Sequence, residues 1–201
     1  ATIITPVARD HEHFLGSDLA GIAGQKAGIM RRGVRCFSAA QAPDVMAALD
    51  SHAANIGTAV TALGRDIGWR PDPDGGIELD TGMQELRLPA PSLHGPHQQA
   101  NMALAVAALV TVMPDLPAAA LAAGVTKASW PGRLQMLPEG PLGLLAGRPV
   151  WVDGAHNAHG ADALTAALPA LDDRKWHFIC GALDTRPADE FLQHIAPLAA
   201  S

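Results

Sequence analysis

Apolar and polar positions change period several times along this chain, and each change predicts an element. Residues 2–7 form a short apolar-rich run that predicts a strand. Over residues 17–30 the apolar positions Leu19, Ile22, Ala23, Ala27, Ile29 and Met30 follow three-and-four spacing, the mark of one helical face, with Ser17 as its predicted cap. A strand is predicted at 34–39 and a helix at 43–55. This βαβα order predicts part of a parallel sheet. From 59 to 93 the pattern shortens. Ile77-Glu78-Leu79 and residues 85–88 alternate, separated by Asp72-Pro73-Asp74-Gly75-Gly76 and Thr81-Gly82, the turn chemistry of small antiparallel hairpins.

Two helices are predicted next, at 97–113 and 116–127, the first apolar on nearly every side and so expected to be buried. Trp130-Pro131-Gly132-Arg133 breaks the helical pattern. The expected domain division is 1–133, a hinge or linker at 134–140, and a second domain over 141–201, whose strand–helix–strand–helix series starts at Leu142. Within it, residues 149–152 read as a buried strand ending on Asp153. Gly154 allows a tight turn, and Asn157 or His159 can cap a helix at 161–171, where Leu164, Ala167, Leu168 and Leu171 share a face. An acid, an imidazole and free helix N–H groups then meet at a strand's carboxyl end, where open α/β sheets bind ligands. The expected class is α/β. A strand at the first residues and a sheet that stops early predict that the chain belongs to something larger. No Gly-x-x-x-x-Gly-Lys-Ser/Thr phosphate loop occurs in it.

Composition narrows the functional classes. Of 201 residues, 48% are apolar, enough for one medium domain or two small ones, and the formal net charge is −6. That charge gives no reason to expect nucleic acid or an anionic membrane as partner. It leaves room for a phosphate ligand held by backbone N–H groups and a local cation. Cys36 and Cys180 fit no metal-ligand spacing and are expected to be reduced, buried thiols. There is no signal peptide, and the longest apolar stretch, 102–113, is too short to cross a bilayer, so a cytoplasmic protein is expected.

Five segments carry candidate chemistry. Asp10-His11-Glu12-His13 follows the first strand, and its histidines read either as hydrogen-bonded loop residues or as metal ligands. Lys26 falls on the apolar stripe of its helix. It either snorkels its ammonium to water or is desolvated toward the neutral amine. His97 and Asn101, four apart, share a helical face. Arg133, after a glycine turn, is either a solvated charge or a planar fork for phosphate. The fifth segment is Asp153 to Asn157.

Taken together and in this order, the segments resemble the folylpolyglutamate synthase and dihydrofolate synthase family, ATP-dependent amide ligases related to the Mur ligases. The resemblance rests on Asp10-His11 with Leu15-Gly16, on Lys26-Ala27-Gly28-Ile29, and on His97-Gln98-Gln99-Ala100-Asn101. It rests further on Trp130-Pro131-Gly132-Arg133 and Asp153-Gly154-Ala155-His156-Asn157. It implies the rear part of a Mur-ligase-like central ATPase domain, followed by the start of a Rossmann-like domain. By resemblance, His11 and a carbamylated Lys26 would be catalytic ligands of Mg²⁺, and Asn101, Arg133, Asp153 and His156 would bind ATP. The implied substrates are dihydropteroate or a folate, L-glutamate and ATP, acted on by a monomer with no nucleic acid or membrane partner. The 201 residues alone, lacking the phosphate loop, are expected to be inactive. Asp153 is expected to act on the nucleotide and to support no core. The family's lysine–aspartate pair after the second strand of the last domain is not matched at Asp184-Thr185-Arg186. Two other readings stay open: a Mur-type amino-acid ligase of cell-wall synthesis, and a zinc-dependent hydrolase using His11, His13, His156 and His159.

Overall fold

Cys36, Phe37 and Ser38, all three fully or almost fully buried, build a strand that is covered on both faces, and the first part of the molecule forms around it. The structure is a computed structural model that describes residues 1–8, 18–182 and 188–200, apart from the side chain of Glu190. Strands β1 (Thr2–Ile4), β2 (Cys36–Ser38) and β3 (Val60–Ala62) make a parallel sheet in that order. Helices α1 (Leu19–Ala27) and α2 (Pro43–Ile56) supply the crossovers. Side chains alternate across a strand, so Cys36 joins Ile4, Ala23, Val45 and Leu49 on one face. Phe37 joins Leu104, Ala107 and Val110 on the other.

The parallel sheet predicted from βαβα order is present. It extends one strand further than expected: Val60 and Ala62 are buried and pair with β2, so antiparallel structure starts after residue 63 rather than at 59. The predicted hairpins follow as a meander of β4 (Gly68–Pro71), β5 (Ile77–Asp80) and β6 (Glu85–Leu88). Its first turn is fixed by Asp72, whose Oδ1 accepts the Asp74 N–H at 2.7 Å and the Gly76 N–H at 3.2 Å. The apolar helix expected at 97–113 is α3 (Pro96–Val112), and most of its middle is buried. Helix α4 (Ala118–Lys127) follows.

Ser17 lies outside the described residues. The carboxylate of Asp18 caps α1, accepting the Gly21 N–H at 2.9 Å and the Ala20 N–H at 3.4 Å.

Contacts divide the chain into two compact units, Ala1–Pro91 with Gln99–Lys127, and Ser92–Gln98 with Ala128–Ser201. The second contains β7 (Gln135–Met136), α5 (Pro141–Ala146), β8 (Trp151–Val152), α6 (Ala158–Ala167) and α7 (Asp189–Ile195). Its small core is Leu134, Ala167 and Leu168, with Trp151, Leu164 and Trp176 packed against it.

Three expectations change here. The series starts at Leu142 with a short helix, not a strand: Pro141 sits at its first position and Gly147 ends it in left-handed backbone. The strand at 149–152 is β8 alone, and Val152 is exposed, because β8 is a two-residue ribbon paired only with β7. Cys36 is buried as expected, but Cys180 is exposed. Around Cys180 the described backbone makes only an isolated bridge, Trp176 to Ala199, and Ile179 stands fully in solvent, so no neighbouring strand covers the thiol.

Candidate active site

The carboxyl end of β8 is tied to the turn that precedes β7, because the two strands are antiparallel partners with Gln135 opposite Val152. Asp153, the next residue, lies beside Gly132–Leu134. Its Oδ2 accepts the Leu134 N–H at 2.7 Å, and its Oδ1 accepts the Ala155 N–H at 2.7 Å. The Gly154 N–H donates to Gly132 O at 2.8 Å. Both carboxylate oxygens are thus used by backbone, one of them by the core residue Leu134, against the expectation that Asp153 supports no core. Each oxygen keeps a second lone pair for a ligand.

The turn itself is unusual. Gly132 has φ +70 and Leu134 has φ +43, so two left-handed residues flank Arg133. Glycine accepts this freely, whereas a leucine there costs about 1–2 kcal/mol. Leu134 is held nevertheless, by the Asp153 bond and by its side chain, which is only 4% exposed among Ala167 and Leu168. A second bond stiffens the turn from the other side: Gln135 Oε1 accepts the Gly132 N–H at 3.0 Å. The Arg133 side chain projects from this fixed turn and is exposed.

Beyond Asp153 the chain enters α6. Asn157, not His159, is the cap, its Oδ1 accepting the Gly160 N–H at 2.8 Å. The helix ends at Ala167 and passes into a 3-10 turn over Leu168–Ala170. His156 Nδ1 lies 2.8 Å from Gly154 O. A carbonyl only accepts, so Nδ1 carries a proton and Nε2 is the nitrogen turned toward other chemistry.

Residues 92–98 complete the unit. His94 meets Trp151 edge-on, with ring centroids 5.3 Å apart. Gly95, at φ +108, underlies the His97 ring: a Cβ there would come within 2.7 Å of Cε1. His97 Nδ1 is buried with no hydrogen-bond partner, and Nε2 lies 3.0 Å from Gln98 Nε2. Burial pushes the His97 pKa down; the Asp153 charge opposes that, while His159 and Arg133 add to it. His97, Arg133, Asp153 and His159 therefore share one electrostatic environment. The sequence put His97 within a motif without choosing it as a site residue. Gln135 carried no sequence signal at all.

Of the predicted site residues, Arg133, Asp153 and His156 come together in the second unit. Asn101, half-buried on α3, and Lys26 belong to the first unit. Lys26 is exposed, whereas Ile22, Ala23 and Ala27 form the buried stripe of α1. This corrects its placement on the core face. Being in the last turn, its ammonium is favoured by the helix dipole. His11 and His13 lie outside the described residues. Among the described residues no three His, Cys, Asp or Glu side chains gather to hold a metal ion.

The chain's sequence and its fold, a parallel sheet with crossover helices followed by a meander and a second α/β unit, are similar to those of known proteins. No protein-family model matches the chain. Among curated proteins it is 31% identical to folylpolyglutamate synthase of Lacticaseibacillus casei over 200 residues, covering 90% of this chain and 43% of that protein. It is also 31% identical to the dihydrofolate synthase/folylpolyglutamate synthase of Mycobacterium tuberculosis over 222 residues, covering 98% and 42%. Among solved structures it is similar to Escherichia coli FolC in complex with ADP, with a TM-score of 0.79 and 25% identity, covering 98% of this chain and 45% of that one. The fold is that of a Mur ligase superfamily member. The chain belongs to the folylpolyglutamate synthase and dihydrofolate synthase family, and it spans under half the length of these relatives.

Proposed function

We propose that the protein containing this chain is an ATP-dependent amide ligase that adds L-glutamate to dihydropteroate, to folates, or to both. ATP phosphorylates a carboxylate of the acceptor; the glutamate amine attacks the acyl phosphate, and phosphate leaves as the amide forms. The observation that carries this reading is the Arg133 turn. An exposed guanidinium stands on a backbone locked by Asp153 and Gln135, a pre-organised cation suited to the phosphates of a nucleotide. The solved relatives include one with ADP and one with AMPPCP and folate, which supports nucleotide and folate as ligand classes.

In this reading Asn101, Arg133, Asp153 and His156 contact ATP. Arg133 neutralises charge that develops on the transferred phosphoryl group. His11 and a carbamylated Lys26 are the proposed Mg²⁺ ligands. The described residues do not by themselves form a metal site, and a bare Lys26 ammonium repels a cation, so no step is routed through the metal. The domain division at 1–133, 134–140 and 141–201, the cytoplasmic location and the monomeric state belong to the same proposal. No helix among the described residues is long and apolar enough to cross a membrane.

The experiment is incubation of the full natural protein with ATP, magnesium and L-glutamate plus dihydropteroate or a reduced folate. Phosphate release and product mass are then followed. Equal amounts of phosphate and of an acceptor heavier by one glutamyl residue are expected. Absence of both products with either acceptor overturns the reading.

A further inference from the structure

We propose that Gln135 is a positioning residue for Arg133: its side-chain carbonyl fixes the turn from which the guanidinium reaches the nucleotide. The proposal rests on the nucleotide role given to Arg133 above, and the geometry of the turn supplies the rest. Arg133 is flanked by Gly132 at φ +70 and Leu134 at φ +43. The N–H of each flanking residue has its own side-chain acceptor, Gln135 Oε1 for Gly132 and Asp153 Oδ2 for Leu134. The carbonyl of Gly132 receives a third bond, from the Gly154 N–H at 2.8 Å.

These bonds come from both strands of the ribbon, since Gln135 opens β7 and Asp153 follows β8. Leu134 is anchored by its buried side chain as well, whereas Gly132 has no side chain to anchor. On the Gly132 side, therefore, Gln135 is the side chain that fixes the peptide. Losing its acceptor frees the Pro131–Gly132 peptide and leaves the Gly154 bond to Gly132 O as the remaining hold on that side, so Gly132 can leave φ +70, because glycine has many alternatives to it. The Arg133 side chain then samples directions that do not meet a phosphate, and the pre-organisation is lost.

Two arms test this in the full natural protein. The first is limited trypsin digestion, following the bond after Arg133 by mass spectrometry. Gln135→Met, similar in length but without the acceptor, is expected to be cut there about three to ten times faster, the factor one lost hydrogen bond gives. Gln135→Glu keeps an accepting oxygen and is expected to match the parent. The bonds after Arg87 and Lys175 report global unfolding, so the comparison is made at digestion times when those are intact. Equal cutting of parent and Gln135→Met after Arg133 overturns the proposal.

The second arm is a double-mutant cycle on the apparent KM for ATP. Gln135→Met alone is expected to raise it about three- to tenfold. In an Arg133→Ala background the same change is expected to add nothing, because it acts through the guanidinium. Multiplicative effects overturn the positioning role. If Arg133→Ala leaves KM and kcat unchanged, the nucleotide role of Arg133 fails, whereas the digestion arm still judges the turn on its own.

Discussion

Asp153 Oδ2 and the backbone N–H of Leu134 are 2.7 Å apart, joined across 19 positions of chain. The bond reaches a leucine in left-handed backbone, a conformation the residue does not favour by itself. It also closes the ribbon at the end where Arg133 projects. One carboxylate thus joins the residue that follows β8 to the turn before β7, and the same group is a candidate ligand for the nucleotide.

Asp153→Ala removes acceptors from two N–H groups, so it is expected to lower stability by about 1–3 kcal/mol as well as to reduce turnover. Urea unfolding and steady-state kinetics on the same variant measure both. Unchanged stability would show that the Leu134 and Ala155 bonds carry no weight in solution.

Leu134 offers a test whose sign is inverted from the usual one. Glycine elsewhere is less stable than alanine by about 0.5–1 kcal/mol. At φ +43, Leu134→Gly is expected to be more stable than Leu134→Ala by about 1 kcal/mol, because alanine bears the left-handed strain and glycine does not. Both are expected to be less stable than the parent, having lost a buried side chain. The alanine variant proving the more stable of the two would remove the left-handed turn.

His97 predicts a pH dependence. Its pKa is lowered in the folded protein, chiefly by burial. Below about 6.5, the ordinary histidine value, the unfolded chain therefore binds a proton that the folded chain does not. The His97 contribution is thus neutral above that value, and stability falls as pH drops below it toward the lowered folded pKa. His97→Gln is expected to flatten the fall of stability as pH drops below about 6.5. Denaturation midpoints above and below that value check it, and an unaltered slope sinks the assignment.

Lys26 is exposed on α1, so Lys26→Ala is expected to shift stability by no more than about 0.5 kcal/mol. If its carbamate serves the reaction, ligation in the full natural protein is lost and partly restored by added short carboxylates. Near-normal turnover by the variant would leave Lys26 an ordinary solvated cation.

The 201 residues contain no phosphate loop, whose N–H groups and lysine commonly hold most of a polyphosphate. This chain by itself is expected to bind ATP weakly or not at all. Calorimetric titration showing a magnesium-dependent Kd of about 1 μM, worth about 8 kcal/mol of binding, contradicts that expectation.

What the sequence by itself determined was whatever repeats locally or is spelled in a short motif. The stripe Ile22, Ala23, Ala27 specified the buried face of α1, and βαβα order specified parallel pairing. Asp72 to Gly76 specified a turn, and five ordered motifs specified a family. Lys26 shows the limit, since spacing placed it on the stripe while the fold turned it to solvent. Cys180 shows it again: an apolar run cannot reveal whether a neighbouring strand covers it. The Asp153–Leu134 and Gln135–Gly132 bonds were beyond reach for a related reason. They depend on β7 and β8 meeting in one register, and on a strain at Leu134 that propensity argues against. Only tertiary contacts decide such pairs, because their free energy comes from groups distant in sequence satisfying one another at a single geometry.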